Sequence, residues 1–222
     1  MSNQQTVVLL DGGMGQELIK RSANAPTPLW SATVMRDEPD LVTTVHADYI
    51  QADARVITLN NYSATPVRLA KHGLSTAFSE LHQAAITAAQ RAIAQTKPTH
   101  PVAVAGCLPP LVSSYHAEDV PSEAACLADY RALVAAQKDG VNLFLCETLT
   151  TVREVQTAAT AGKESGHPVW VGMTVDDQDG TRLRSGESLA DGVAAAKACG
   201  AAAVLINCSW PEAITQGLPI LA

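Results

Sequence analysis

Short apolar runs recur along the chain, each ending in polar or small residues. Val7–Leu10 runs into Asp11-Gly12-Gly13-Met14-Gly15, and Val56–Leu59 runs into Asn60-Asn61-Tyr62-Ser63. Val102–Ala105 ends in Gly106-Cys107-Leu108-Pro109-Pro110, Leu143–Cys146 in Glu147-Thr148, and Val169–Met173 stands fifth. The last, Ala203-Val204-Leu205-Ile206, runs straight into Asn207-Cys208-Ser209, with Pro211 positioned to start a helix. Runs of this length, apolar at all positions but Thr58, read as strands buried on both faces.

Between them the period changes to that of helices. A helical stretch follows Met14 to about Arg21, then a proline-bearing loop from Pro26 to Trp30. Pro39-Asp40 opens a helix through Ala52 with Leu41, Val45 and Tyr49 on one face. Ser75–Gln95 carries the stripe Phe78, Leu81, Ala85, Ala89 and Ile93, and Ser122–Lys138 carries Leu127, Tyr130 and Val134 ahead of a stop at Gly140. Thr151-Val152-Arg153-Glu154 has the form of a capping box, and Gly186–Cys199 is a further helix stopped by Gly200.

Strand and helix alternate six times, at intervals of roughly 40 residues. That order predicts an α/β chain with a parallel sheet, as an open doubly wound sheet or as part of a (β/α)8 barrel. The doubly wound dinucleotide reading fails because counting from Gly13 and Gly15 puts Leu18 where the third glycine belongs, and no GxxxxGK occurs. The barrel gathers every strand end at one mouth, where Asp11, Thr58, Asn60, Asn61, Glu147, Asp176, Asn207 and Cys208 would meet. Eight units need about 250 residues, so 222 residues hold about six, in one domain over 1–222 truncated at its C-terminal side and with open sheet edges.

Composition narrows the chemistry. A net charge of -7 argues against nucleic acid or an anionic membrane as partner. No run is long enough for a membrane span and no signal peptide is read at the start, so a cytoplasmic location is expected. The five cysteines, Cys107, Cys126, Cys146, Cys199 and Cys208, are too scattered for a disulfide framework or a zinc knuckle. Cys146 reads as packing at a strand end; Cys126 and Cys199 read as helix core. The six histidines show no ligand spacing, and no lysine falls at a strand end, which argues against a Schiff-base aldolase.

Several candidates keep two readings. Asp11-Gly12-Gly13 can present a carboxylate and approachable amides, or simply cap a tight turn. Glu147 at the rim of the core can hold an ammonium group or act as a base, or form a rim salt bridge. Thr58 can be core, and Cys208 can be a ligand, a nucleophile or a small buried residue.

Taken together, Asp11-Gly12-Gly13-Met14-Gly15-Gln16-Glu17-Leu18, Pro28-Leu29-Trp30-Ser31-Ala32, Tyr62-Ser63-Ala64-Thr65-Pro66, Ala105-Gly106-Cys107-Leu108-Pro109, Cys146-Glu147-Thr148 and Ile206-Asn207-Cys208 resemble the homocysteine S-methyltransferases, nearest to the S-methylmethionine-type branch. The resemblance implies a (β/α)8 barrel that moves a methyl group from a sulfonium donor to the zinc-activated thiol of homocysteine, giving methionine. It casts Asp11 and Glu147 as the catalytic carboxylates that hold the homocysteine amino group. Amides near Gly12, with Thr58, would bind the carboxylate end, and Trp30 and Tyr62 would line the donor side. Cys208 would be one of three zinc thiolates; the other two belong to a Gly-Gly-Cys-Cys run that these 222 residues do not contain. Two alternatives stay open: a metal-free inactive fragment or homocysteine-binding protein, and an unrelated barrel enzyme using Asp11 and Glu147 as acid and base. Association through the open edges is also expected.

Overall fold

The structure is a computed structural model that describes residues 7–25, 27 and 29–222, apart from the side chains of Trp30 and Ser31. Pro26 and Pro28 of the expected loop, and the side chain of Trp30, lie outside what is described. The elements run α1 (Met14–Arg21), α2 (Trp30–Asp37), α3 (Pro39–Gln51), β1 (Val56–Thr58), α4 (Pro66–Lys71), α5 (Phe78–Thr96), β2 (Ala103–Leu108), α6 (Glu123–Gln137), β3 (Leu143–Leu149), α7 (Val152–Glu164), β4 (Val169–Met173), α8 (Leu189–Ala198), β5 (Ala203–Ile206) and α9 (Pro211–Leu221).

The five strands pair in chain order, β1-β2-β3-β4-β5, and every pairing is parallel. Sequential parallel neighbours joined by helices are the winding of a barrel rather than of a sheet that doubles back at a switch point. Side chains of the central strands alternate between two apolar layers. Ile57, Val104, Leu108, Phe144, Cys146, Val169, Val171 and Met173 join the helices in the main core. Val56, Ala105, Leu143 and Leu145 form a second cluster on the other, inner face, with Leu10, Ala103, Trp170 and Leu205 against it.

Local signals place the helices. Thr151 and Glu154 make the expected capping box at α7, and Ser122 and Ser188 cap α6 and α8. Pro211 starts α9 as expected, while Gly200 turns the chain after α8 with φ of 75°. Two short helices, α2 and α4, fall in stretches to which the sequence pattern assigns no element; Thr65 caps α4 and Pro66 fills its first turn.

The expected first strand is a correction. Leu10 makes a single parallel bridge to Val56, and Val7, Val8 and Leu9 are exposed. Among the described residues, five strands and this bridge therefore stand where six strands are expected. The reason is position: the segment has β1 on one side and no described strand on the other, so Leu10 alone packs on the inner cluster while Val7, Val8 and Leu9 stay exposed. At the opposite edge all four residues of β5 remain partly exposed. Among the described residues no helix is long and apolar enough to cross a membrane.

Candidate active site

A cavity of about 620 Å³ opens at the carboxyl ends of the strands. Asp11, Gly12, Thr58, Asn60, Tyr62, Glu147, Asn207 and Cys208, all singled out in the sequence, line it. Asn61 and Asp176 are absent from that lining. Asn61 is buried and bonds His82 Nδ1 at 2.9 Å, whereas Asp176 accepts from Gln178 N and Asp179 N and closes a turn.

Asp11 directly follows the Leu10 bridge, so its carboxylate meets β1 at its end. Its Oδ2 accepts from Thr58 N at 2.6 Å and its Oδ1 from Thr58 Oγ1 at 3.1 Å. Burial nevertheless raises its pKa from 3.8 to about 7, with the Glu147 charge adding to the rise and the Thr58 bonds opposing it. Gly12 lets the turn pass close to α3, since a Cβ there would sit 2.9 Å from the Tyr49 ring. Gly13 then precedes α1, whose first residues, Met14, Gly15 and Gln16, line the same cavity.

Glu147 lies on β3, where the pairing register with β4 shifts between Cys146 and Leu149. This irregularity bends the strand end. Thr148 takes a positive φ of 61° within it. Burial raises the Glu147 pKa, opposed by a thiol hydrogen bond from Cys107 at 2.8 Å. No lysine or arginine is among the residues lining the cavity, so its two carboxylates have no cation of their own there.

The sulfur side is built across strands. Asn207 Oδ1 accepts from Thr148 N at 2.9 Å, and Asn207 Nδ2 donates to Thr148 Oγ1 at 3.1 Å. Gly172 of β4 lies between them and leaves room, for a Cβ there would be 3.3 Å from Asn207 Oδ1. Cys208 is exposed, sits at φ of 51°, and receives the Thr148 hydroxyl at 3.4 Å and Asn207 Nδ2 at 3.6 Å. Two non-glycine residues held at positive φ side by side mark a site where the surroundings over-determine the backbone. Arg184 donates to Cys208 O at 3.3 Å and pairs with Asp177 at 2.9 Å, tying down the same loop.

Tyr62 Oη bonds Ser114 Oγ at 2.7 Å, and the Arg68 guanidinium lies 5.2 Å from its ring centroid. Burial raises its phenol pKa. Tyr115, which carries no signal in the sequence, also lines the cavity, at φ of 71° and with Arg184 4.8 Å from its ring centroid. Burial, with Cys208 nearby, pushes its pKa to about 12.

Zinc needs three or four protein ligands. Among the described residues no three His, Cys, Asp or Glu side chains gather, and Cys208 is the one cysteine in the cavity lining. Cys107 is fully buried against Glu147, and Cys126 and Cys146 pack into the main core, with Cys199 against it. The described residues alone therefore do not make a zinc site.

Comparison with known proteins places this geometry. The homocysteine S-methyltransferase family profile matches residues 8–222. Homocysteine S-methyltransferase of Escherichia coli K12 is 33% identical over 97% of this chain and 74% of its own length. Selenocysteine Se-methyltransferase of Brassica oleracea var. italica is 29% identical, over 95% of this chain and 67% of its own length. The crystal structure of the Escherichia coli homocysteine methyltransferase MmuM in its metallated form superposes with a TM-score of 0.84 at 30% identity, covering 97% of this chain and 79% of that one. With a profile match across nearly all of its length, a like barrel winding and a relative at this identity, the chain belongs to the homocysteine S-methyltransferase family.

Proposed function

We propose that the cavity binds homocysteine and that the chain serves methyl transfer from a sulfonium donor to the homocysteine thiol. The observation that carries this reading is the pair of carboxylates, Asp11 and Glu147, in a cavity lined by no cation. Burial raises both pKa values, so an empty cavity favours protons on them, and a ligand ammonium supplies the missing positive charge. By the family resemblance, backbone amides near Gly12 take the substrate carboxylate, while the Thr58 hydroxyl, which donates to Asp11 Oδ1, holds the Asp11 carboxylate in place beside it.

An amino acid held by its head group at Asp11 and Glu147 extends its side chain across the mouth toward Cys208. There the acceptor sulfur, as the thiolate left when its proton passes to solvent, attacks the methyl carbon of the donor. The bond from that carbon to the donor sulfur breaks, its electron pair stays on the donor sulfur, and the donor leaves as a neutral thioether. Tyr62 and Tyr115 offer aromatic faces to the sulfonium charge, and Trp30 belongs with them by the family resemblance. S-methylmethionine is the donor that this resemblance favours. Zinc is the metal it implies, and Cys208 is proposed as the one ligand supplied by these residues.

The test is direct. The chain, supplied with zinc, L-homocysteine and S-methylmethionine, is assayed for methionine by mass spectrometry, beside Glu147→Gln and Asp11→Asn. Methionine formed by the parent and strongly reduced in both variants supports the reading. Homocysteine binding without turnover makes the chain an amino-acid-binding protein. Turnover that ignores both carboxylates removes them from the site.

A further inference from the structure

The residue behind Glu147 has no role in the reading above. Cys107 stands on β2, paired in register with Leu145 of β3, and is fully buried. Its thiol donates to Glu147 Oε1 at 2.8 Å. Burial, and then the neighbouring Glu147 charge, hold its pKa well above the ordinary thiol range, so the sulfur keeps its proton and remains a donor.

Cys107 is itself clamped. Its N donates to Gln137 Oε1 at 2.9 Å, and its O accepts from Gln137 Nε2 at 3.2 Å. Gln137 is the buried last residue of α6, and its amide also donates to Leu133 O at 3.0 Å. The pairing of β1 with β2 ends at Thr58 and Ala105, so the next peptide groups of β2 need other partners. Gly106 admits the clamp, because a Cβ there would lie 3.0 Å from Gln137 Oε1 and 2.7 Å from the Phe144 ring. A continuous hydrogen-bonded line thus runs from α6 through Gln137 and Cys107 to the carboxylate.

We propose that Cys107 is the positioning residue of Glu147: its thiol, locked in place by Gln137, fixes one carboxylate oxygen and leaves the other for the substrate ammonium. This rests on the reading that Glu147 holds the amino group of homocysteine. It gives the two carboxylates matching support, since Thr58 anchors Asp11 as Cys107 anchors Glu147. The groups electrostatically coupled to Glu147 are Asp11 at the end of the Leu10 bridge, Tyr62 beyond β1, Cys107 on β2 and Cys146 on its own strand; Arg68 of α4 acts on Cys107.

The experiment is calorimetric titration of L-homocysteine, under reductant and across pH, into the parent chain, Glu147→Gln, Cys107→Val and Cys107→Ser, with melting temperatures alongside. Valine keeps the site filled, at the cost of about one extra methyl group, and removes the donor; serine keeps a donor. A hydrogen bond to a charged group implies a loss of about tenfold in affinity for Cys107→Val. The acid limb of binding should also move to higher pH, because a carboxylate without its donor ionises later. Cys107→Ser should stay within about threefold of the parent with the limb in place.

A parent that does not bind homocysteine, or a Glu147→Gln variant that binds like the parent, removes the amino-group reading and this proposal with it. Loss in Glu147→Gln combined with parent-like binding and an unmoved limb in Cys107→Val overturns this proposal alone. So does a serine variant as weak as the valine one. Should Cys107→Val fail to fold, infrared difference spectra of the parent against Cys107→Ser isolate the Cys107 S–H stretch. A band lowered by hydrogen bonding supports the anchor, and one at the frequency of an unbonded thiol overturns it.

Discussion

Replacing Asp11 by asparagine should stabilise the ligand-free chain above neutral pH and change it little near pH 4. The folded chain raises the Asp11 pKa from 3.8 to about 7. Between those values the folded state keeps a proton that the unfolded state has released, so stability falls as pH rises through this window and levels off above it. A pKa unit is worth about 1.4 kcal/mol, which makes the cost of ionising folded Asp11 about 4 kcal/mol near pH 8. Asparagine carries no charge, and its amide can still accept from Thr58 N, so it escapes that cost while keeping the stronger anchor.

The measurement is urea denaturation of the parent and Asp11→Asn at about pH 5, 6, 7 and 8. Only the difference between the two proteins is diagnostic, because other groups slope as well. Burial lowers the pKa of His46 and of His82 from 6.5 to about 4, so those residues favour the fold as pH rises and oppose the Asp11 trend. They are common to both proteins and cancel. The stability gap should open with pH and approach roughly 4 kcal/mol. Saturating homocysteine should flatten the parent curve, because the bound ammonium restores ionised Asp11. A gap that varies by less than about 1 kcal/mol over this range would show that Asp11 is not held in a desolvated site.

Three further perturbations separate the parts of the mouth. Asn207→Ala removes both bonds to Thr148 and should cost about 2 kcal/mol in urea denaturation, with Asn207→Asp costing less because an oxygen still meets Thr148 N. Thr151→Ala breaks the α7 capping box and should cost about 1 kcal/mol while leaving homocysteine affinity unchanged by calorimetry. Removing divalent metal with a chelator should leave the melting temperature of the chain unchanged, since the described residues bring one cysteine to the cavity; a fall of several degrees would reveal ligands beyond Cys208.

The strands and the polar residues at their ends were legible because a parallel sheet covered on both faces needs continuous apolar runs. The same continuity conceals which residues face inward. Leu143-Phe144-Leu145-Cys146-Glu147 reads as one apolar strand ending in a carboxylate, yet only Leu143, Leu145 and Glu147 turn to the inner face. Cys107 shares that parity on β2, and so it meets Glu147 while Cys146 packs outward. Parity is set by the pairing register, a long-range property that no single run carries. The irregularity at Glu147-Thr148 and the positive φ of Thr148, Cys208 and Tyr115 were hidden for a related reason: none is a glycine, and their conformations are imposed by neighbours such as Asn207 and Arg184. Asp176 shows the opposite error, a strand-end carboxylate spent on closing its own turn.

The two sides of the mouth are therefore built on different principles. The carboxylate side is satisfied within these residues, Asp11 by Thr58 and Glu147 by Cys107, each anchor reaching from a neighbouring strand. What its lining lacks is positive charge, which under the proposed reading a substrate ammonium brings. On the sulfur side, the Asn207 bonds to Thr148 and the Arg184 contact brace Cys208 in a left-handed conformation. Backbone strain persists only where the surroundings enforce it. Bracing of this kind has no use for a thiol that merely fills space, since an exposed sulfur packs little, but it suits a sulfur that must meet a ligand at a fixed point. Under the proposed reading, the carboxylate pair holds the head group of one amino acid and the braced Cys208 stands on the side of its sulfur.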